Sequence, residues 1–328
     1  MGTPDFAVPA LRAVARACDV AHVLTQPDRP KGRGRALAES DVAREAARLG
    51  LAVEKPADMK AADVRERLAA LAPDLFAVVA FGAILSPALL AVPRLGAILS
   101  PALLAVPRLG SVNLHGSLLP DYRGASPVQQ ALWDGRAWTG VTTLFMDEGI
   151  DTGDMILQRW LAIEPGDHAG SLAAKLAELG GPLLAESLLL VESGRAPRRP
   201  QPKEGGSYAR KLRKADGVVD WTLDAVTVWN HQRAVTPWPG ATAACAGRRV
   251  LLTAAWPHHR LAAPEAPGTV LGVTREGVMV ACAPGVLLVT RVKPEGRGEM
   301  GAAEWARGAR LEVGARFEPP APQPEAVA

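Results

Sequence analysis

The chain has 328 residues, of which 48% are hydrophobic and 22% are charged, and its formal net charge is +3. This length suits one large or two ordinary domains, and no apolar run reaches the roughly 18 residues that a membrane span requires. Residues 1–20 lack the pattern of a signal peptide, and the three cysteines are odd in number, scattered and without metal-ligand spacing. The sequence therefore predicts a cytoplasmic protein with buried, reduced thiols.

Charge is unevenly divided along the chain. Residues 195–328 contain 19 lysines and arginines against 12 aspartates and glutamates, a balance of +7, whereas residues 1–194 stand at −4. A basic C-terminal part indicates a polyanionic partner for one domain. Charge alone does not decide this, since many basic surfaces bind nothing in particular.

Helices and strands alternate in the first part of the chain. Apolar spacing predicts helices at Pro9–Cys18, Ser40–Leu49 and Ala61–Leu71. It predicts strands at Asp19–Thr25, Leu51–Glu54 and Asp74–Phe81, the last of them apolar enough to be buried on both faces. This alternation predicts an α/β fold with a mostly parallel sheet.

A basic segment interrupts this alternation at residues 26–35. It contains two prolines, two glycines and four cations, which are Arg29, Lys31, Arg33 and Arg35. The prolines and glycines predict a mobile loop. The cations are typical of a loop that contacts phosphate, although an ordinary solvated loop can have the same composition.

The next segment is a repeat. Residues 82–95 recur letter for letter as residues 96–109. A solenoid needs several copies, so two identical ones indicate a recent tandem duplication or an assembly error. Residues 81–85 can still follow the buried strand and residues 107–110 can still enter the next one. We therefore expect the surplus to loop out at a small entropic cost.

The stretch Ser111–Pro120 has the composition of a reaction centre. Its first four residues alternate polar and apolar, which predicts a short strand. Residues two apart in a strand share a face, so Asn113 and His115 project together. An amide can donate to a developing oxyanion, and an imidazole can move a proton near neutral pH. The alternative is a pair that only satisfies backbone groups at a strand end.

The following predicted strand, Gly140–Met146, leads into a loop of carboxylates. They are Asp147, Glu148, Asp151 and Asp154. Their spacing lacks the pattern of a calcium-binding loop, which we therefore exclude. One carboxylate beside His115 would orient the imidazole, but sequence distance does not say which one.

The remainder of the chain indicates a second, smaller domain. A long helix is predicted at residues 170–192, and the Pro-, Gly- and Arg-rich residues 193–206 predict a basic linker. Short strands with Gly and Pro turns then predict a small β-barrel. The resulting division is a first domain at 1–192, the linker at 193–206, a barrel domain at 207–318 and a disordered tail at 319–328.

Several of these stretches resemble the signature motifs of the folate-dependent formyltransferases. The resemblance to the family as a whole lies in Asn113–Pro120, Tyr122–Pro127 and Met146–Asp154. Three further stretches resemble those members of the family that act on the methionyl initiator tRNA: Gly2–Ala7, Thr25–Gly34 and Thr236–Ala241. It implies a Rossmann-like, mostly parallel sheet followed by an OB-like β-barrel domain. Members begin with an apolar strand before the turn at Gly2, so we expect the true start to lie upstream of Met1.

The resemblance also implies a reaction and its residues. A formyl group passes from 10-formyltetrahydrofolate to the α-amino group of methionyl initiator tRNA, without a metal. Asn113 donates to the oxyanion, and His115, oriented by Asp151, relays the proton. Folate contacts fall to Ser117, Leu118, Leu119 and Pro120. Contacts with the tRNA fall to the four cations of residues 26–35 and to Arg210 and Lys211.

Alternatives remain open. A related formyltransferase or formyl-folate hydrolase could use the same centre on a small amine, a nucleotide sugar or water, although the basic linker, the Arg-rich loop and the barrel favour tRNA. The repeat and the missing first strand also fit a catalytically impaired tRNA-binding relative. The lack of a Gly-x-Gly-x-x-Gly run after a strand argues against dinucleotide binding. Nothing suggests an obligate interface, so we expect a monomer.

Overall fold

The computed structural model describes residues 1–31, 36–59, 61–81, 99–202, 204–258, 263 and 265–321. The chain divides into two compact units. Unit 1 comprises Met1–Pro127, Trp138–Ala162 and Leu172–Lys211, and unit 2 comprises Val128–Ala137, Ile163–Ser171 and Leu212–Ala328. These bounds differ from the predicted domains because compactness follows spatial contacts, whereas the prediction followed chain order.

The secondary structure of the described residues is as follows. The helices are α1 (Val8–Ala17), α2 (Asp41–Arg48), α3 (Ala62–Ala70), α4 (Pro101–Leu104), α5 (Pro127–Trp133), α6 (Ala169–Glu192), α7 (Ala225–Ala234) and α8 (Ala302–Ala309). The first nine strands are β1 (Val23–Leu24), β2 (Arg29–Lys31), β3 (Ala36–Ala38), β4 (Val53–Glu54), β5 (Phe76–Val79), β6 (Ser111–His115), β7 (Arg123–Gly124), β8 (Trp138–Phe145) and β9 (Met155–Ala162). The others are β10 (Tyr208–Ala209), β11 (Ala241–Cys245), β12 (Arg248–His258), β13 (Val270–Val273), β14 (Val278–Ala281), β15 (Val286–Pro294), β16 (Met300–Gly301) and β17 (Phe317–Glu318).

Unit 1 contains the parallel strand pairs of an α/β fold. β1 pairs in parallel with β4, and β5 pairs in parallel with β6. The second pair continues through the antiparallel strands β8 and β9, giving the order β5-β6-β8-β9. The predicted α/β class with parallel strands is confirmed, and an antiparallel extension completes one edge.

The first two residues of the chain lie between the two parallel pairs. The Met1 amino group donates to the Ala77 carbonyl at 2.7 Å, and the Val79 amide donates to the Met1 carbonyl at 2.9 Å. On the other side, the Gly2 amide donates to the Leu24 carbonyl at 3.0 Å. Burial lowers the pKa of the Met1 amino group to about 5. A cavity of about 530 Å³ adjoins these residues.

The second copy of the repeat packs into the core of unit 1. Leu99 and Leu103 are buried in a cluster that includes Phe81, and the Ser100 hydroxyl accepts from the Leu103 amide at the start of α4. Residues 107–110 lead into β6, as predicted. The first copy, residues 82–95, lies outside the described residues, and so does its expected loop.

Part of the basic segment at residues 26–35 is a strand in an antiparallel pair. β2 and β3 pair antiparallel from Arg29 with Ala38 to Lys31 with Ala36. The prediction of a loop is therefore wrong for residues 29–31. Pro30 is compatible with this pairing because a two-stranded ribbon leaves one edge of each strand without a partner. Residues 32–35 lie outside the described part of the chain.

Unit 2 is built on an antiparallel sheet that closes on itself. The strand order is β13-β14-β15-β12-β11-β17, and β16 pairs with β15. The two ends of this order meet, because Val270 donates to the Ala315 carbonyl at 2.8 Å and Phe317 donates to the Gly268 carbonyl at 2.8 Å. The sheet is thus a small barrel, and the prediction of an OB-like second domain is confirmed.

The cysteines are free thiols. Cys245 and Cys282 are buried in unit 2, and burial raises the pKa of their thiols to about 11 and about 12. Such thiols are chemically inert packing groups. Within the ranges that the structure describes, no helix is long and apolar enough to cross a membrane.

Candidate active site

β6 places Asn113 and His115 on one face of a buried strand. Val112 and Leu114 are 0% and 2% exposed on the opposite face, in the apolar core. The register against β5 and β8 fixes the strand on both sides. Asn113 and His115 are themselves buried, each 6% exposed. Two polar side chains are therefore held in a largely apolar setting, where hydrogen bonds are strong and rigid.

Asp151 is the partner of both side chains. The Asn113 Nδ2 atom donates to Asp151 Oδ1 at 3.3 Å, and His115 Nδ1 lies 3.5 Å from Asp151 Oδ2. The Gly124 amide also donates to Asp151 Oδ2, at 2.9 Å. One carboxylate therefore fixes an amide and an imidazole side by side.

The second ring nitrogen of His115 is also bound. Nε2 lies 2.9 Å from the Tyr122 carbonyl oxygen, which can only accept, so Nε2 carries a hydrogen. Both ring nitrogens thus face acceptors, one a carbonyl and one a carboxylate.

Two residues of the site have backbone angles that are unusual for side chains with a Cβ. The φ angle is 54° at Asp151 and 60° at Tyr122. Non-glycine residues in this left-handed region are uncommon and need support from their surroundings. At Tyr122 the support includes the Ser207 hydroxyl, which accepts from the Tyr122 amide at 2.9 Å.

Thr142 on β8 fixes the loop between Ser117 and Pro120. Its hydroxyl donates to the Ser117 carbonyl at 2.7 Å and accepts from the Leu119 amide at 3.0 Å. Ser117 and Leu119 are buried, whereas Leu118 and Pro120 are half-buried. The Ser117 hydroxyl donates to the Asp121 carbonyl at 2.6 Å. Of the four residues predicted to contact folate, Leu118 and Pro120 thus have side chains that are accessible to a ligand.

Only some of the residues predicted to contact tRNA belong to the described part of the chain. Arg29 is exposed at the start of β2, and Arg210 and Lys211 are exposed after β10. Lys31 lies in β2, but its side chain is outside the described residues, as are Arg33 and Arg35. The three described cations all belong to unit 1.

Gln201 contributes to the site but was not predicted from the sequence. It lies in the predicted linker and binds the loop that contains Asp151. Its Nε2 atom donates to the carbonyl oxygens of Asp151 and Gly153 at 2.8 and 2.9 Å. Its Oε1 atom accepts from Arg123. Arg123 lies inside a recognised motif, but a glutamine among prolines and cations carries no local signal. Among the residues that the structure describes, no three His, Cys, Asp or Glu side chains converge on a possible metal position.

Two family models match the chain. The model described as "Formyl transferase" matches residues 6–99 and 92–188. The model described as "Formyl transferase, C-terminal domain" matches residues 211–310. The two segments of the first match share residues 92–99, which span the junction between the copies of the repeat.

Individual relatives are similar over nearly the whole length. The methionyl-tRNA formyltransferase of Symbiobacterium thermophilum is 44% identical, covering 99% of this chain and 96% of the relative. That of Stenotrophomonas maltophilia is also 44% identical, covering 96% of this chain and 98% of the relative. The structure of HypX from Aquifex aeolicus with tetrahydrofolic acid has a TM-score of 0.58 at 22% identity, covering 93% of this chain and 50% of HypX, a likeness of fold alone. The matched models and these relatives establish that the chain belongs to the formyl transferase family.

Proposed function

We propose that this chain formylates the α-amino group of methionyl initiator tRNA, with 10-formyltetrahydrofolate as donor and with Asn113, His115 and Asp151 as the reaction centre. The tRNA substrate is supported by relatives named methionyl-tRNA formyltransferases that align over nearly the full chain. A folate donor is supported by the family match and by the tetrahydrofolic acid in HypX. The observation that carries the proposal is the position of Asp151, within 3.5 Å of both Asn113 and His115.

The reaction exchanges one carbon–nitrogen bond for another. The neutral amine of the methionyl group attacks the formyl carbon, and the carbonyl electron pair moves to oxygen. Collapse of this tetrahedral intermediate breaks the bond between the formyl carbon and N10 of the folate. The attacking nitrogen loses one proton and N10 gains one, so the protein has to stabilise an oxyanion and move a proton.

Asn113 is suited to stabilise the oxyanion. Its Nδ2 atom carries two hydrogens, so one can stay on Asp151 while the other donates to the developing charge. The bond to Asp151 fixes the plane of the amide before substrate arrives. A preorganised donor of this kind contributes about 10²-fold to 10³-fold in rate.

His115 is suited to move the proton. The hydrogen on Nε2 is the one available for transfer, because Nδ1 is turned toward Asp151. Nε2 passes that hydrogen to N10 while the Asp151 carboxylate, 3.5 Å from Nδ1, holds the ring in place. The surplus proton of the attacking nitrogen then restores the ring. Contacts in the resting site commonly rearrange when substrate binds, so Nε2 can leave the Tyr122 carbonyl.

Each of the two substrates is assigned to particular segments of the chain. We assign the folate contact to the loop Ser117–Pro120, chiefly through Leu118, Pro120 and backbone groups. Phosphate contacts are assigned to Arg29, Lys31, Arg33 and Arg35 and to Arg210 and Lys211, since cations are what a nucleic-acid backbone binds; of these, Arg29, Arg210 and Lys211 are exposed in the described part of the chain.

Three broader assignments accompany this function. The linker at 193–206 joins a catalytic domain at 1–192 to a tRNA-binding barrel domain at 207–318; of the predicted tail at 319–328, residues 322–328 lie outside the described residues. We propose that the chain acts as a monomer. It works in the cytoplasm, which is supported by three free cysteines.

The roles are tested by single-turnover transfer of labelled formyl to methionyl initiator tRNA. His115→Ala should slow transfer by roughly a hundredfold or more, and Asn113→Ala by a similar factor, with the thermal unfolding transition retained. His22→Ala is the matched control: His22 lies 3.4 Å from Glu54 in the same unit and should leave the rate unchanged. An unchanged rate in His115→Ala would remove His115 from the mechanism.

A further inference from the structure

Gln201 bridges two loops of the reaction centre from within the predicted linker. Its two amide hydrogens go to the carbonyl oxygens of Asp151 and Gly153, at 2.8 and 2.9 Å. Its carbonyl oxygen accepts from Nε and Nη2 of Arg123, at 3.0 and 2.8 Å. The full donor and acceptor capacity of the side-chain amide is therefore used.

Arg123 holds the other side of this bridge. It is 7% exposed, and its guanidinium lies 6.0 Å from the centre of the Tyr208 ring. Its own amide donates to the Ser207 carbonyl at 2.8 Å, within the parallel pairing of β7 with β10. A buried cation needs polar partners, and Gln201 Oε1 supplies one. The cation in turn polarises the amide of Gln201 and strengthens donation from Nε2.

The bridge acts on the residue whose backbone most needs support. Asp151 has a φ of 54°, and Gly153 is confined so closely that an added Cβ would lie 1.8 Å from the Phe145 carbonyl oxygen. Gln201 binds the carbonyls of both residues and so fixes the turn between them. The direction of the Asp151 carboxylate follows from that turn, because its side chain has only two rotatable bonds.

We infer that Gln201 is a positioning residue for formyl transfer, which with Arg123 behind it holds Asp151 where it reaches both Asn113 and His115. The inference rests on the roles proposed above for those three residues. It assigns the linker a structural part in the reaction centre, beyond joining two domains. Gln201 acts through Asp151 and needs no contact with either substrate.

The test begins with two substitutions of Gln201 that change the hydrogen bonds of its side-chain amide in different ways. Gln201→Met keeps the length of the side chain and removes its hydrogen bonds. Gln201→Glu keeps acceptors for Arg123 but turns an oxygen toward two carbonyl oxygens. Each should slow single-turnover transfer at saturating substrates on the order of tenfold to a hundredfold, with KM for tRNA and for folate within about twofold of wild type. Gln232→Met is the matched control, since it removes two amide donations, to Thr236 and Thr253, in unit 2.

A double-substitution cycle then decides whether Gln201 acts through Asp151. Once Asp151→Asn has removed the carboxylate, adding Gln201→Met should slow transfer by no more than about twofold further. Multiplying effects would overturn the inference. If Gln201→Met does not fold, Gln201→Glu takes its place, because it retains the anchor to Arg123.

The same measurements separate this inference from the proposed function. A fast Asp151→Asn enzyme would contradict the proposed reaction centre itself. A slow Asp151→Asn enzyme beside fast Gln201 variants would contradict only the positioning role.

Discussion

Replacing Asp151 by Asn should reduce formyl transfer far more than it reduces stability. The carboxylate faces three groups: the Gly124 amide at 2.9 Å, Asn113 Nδ2 at 3.3 Å and His115 Nδ1 at 3.5 Å. An Asn side chain offers one oxygen, so at least one of these groups meets an amide NH₂ instead. A lost hydrogen bond to a buried charged group costs about 1.5–3 kcal/mol, a factor of roughly 10 to 150.

A second effect adds to the first in the transition state. Asn carries no negative charge, so it no longer stabilises the His115 ring when the ring takes up a proton during the proposed relay. For scale, a Ser-His-Asp triad loses about 10⁴-fold when its Asp becomes Asn. We therefore expect a fall of about 10²-fold to 10⁴-fold in the single-turnover rate, with a loss in unfolding free energy of less than about 3 kcal/mol.

The assay is rapid mixing of enzyme, charged tRNA and labelled formyl donor at saturating concentrations. Asp154→Asn is the matched control, because Asp154 lies three residues further along the same loop and pairs with Arg198 at 3.5 Å. That variant should stay within about threefold of wild type, since it removes only a partly exposed ion pair. Similar losses in the two variants, or a fall of less than about threefold in Asp151→Asn, would refute the reasoning.

Three further predictions concern stability, tRNA affinity and the repeat. Hydrogen bonds from Arg12 and Arg48 lower the pKa of Glu45 from its ordinary 4.5 to about 2, so this ion pair stabilises the fold above pH 4.5 and is lost as the pH falls toward 2. The difference in melting temperature between wild type and Glu45→Gln should therefore shrink between pH 6 and pH 3; a constant difference would contradict this. Arg210→Ala should reduce the slope of log affinity for tRNA against log salt by about 1, and an unchanged slope would exclude Arg210 from the interface. Deletion of residues 82–95 gives the same protein as deletion of 96–109 and keeps one copy to supply the packing of Leu99 and Leu103. Activity within about threefold and one cooperative unfolding transition are expected, whereas loss of either would show that both copies are needed.

The local parts of the fold could be predicted from the sequence. The spacing of apolar residues predicts most helices and strands, because the helical period of 3.6 residues and the strand period of 2 residues depend only on residues close together in the chain. The common face of Asn113 and His115 follows from the same period of two. The strand at Arg29–Lys31 could not be predicted in this way, because prolines and glycines are typical of loops and its pairing depends on residues further along the chain.

Contacts between distant segments could not be predicted from spacing. Asn113 and Asp151 are 38 residues apart, and only the resemblance to known formyltransferases joined them. Gln201 gave no signal, because its surroundings have the composition of a flexible linker and its partners are carbonyl oxygens. The hydrogen bond between Val270 and Ala315, which helps to close the barrel, could not be predicted either, because neither segment has a sequence pattern that identifies its partner.

The central claim is transfer of formyl to one particular amine, and the most direct measurement follows labelled formyl from 10-formyltetrahydrofolate. Wild-type chain would be mixed in separate reactions with methionyl initiator tRNA, methionyl elongator tRNA and free methionine. The account predicts that label appears as formylmethionyl initiator tRNA, with far slower labelling of the elongator and none of free methionine. Release of the label as formate without formylated tRNA, or equal labelling of all three amines, would contradict it.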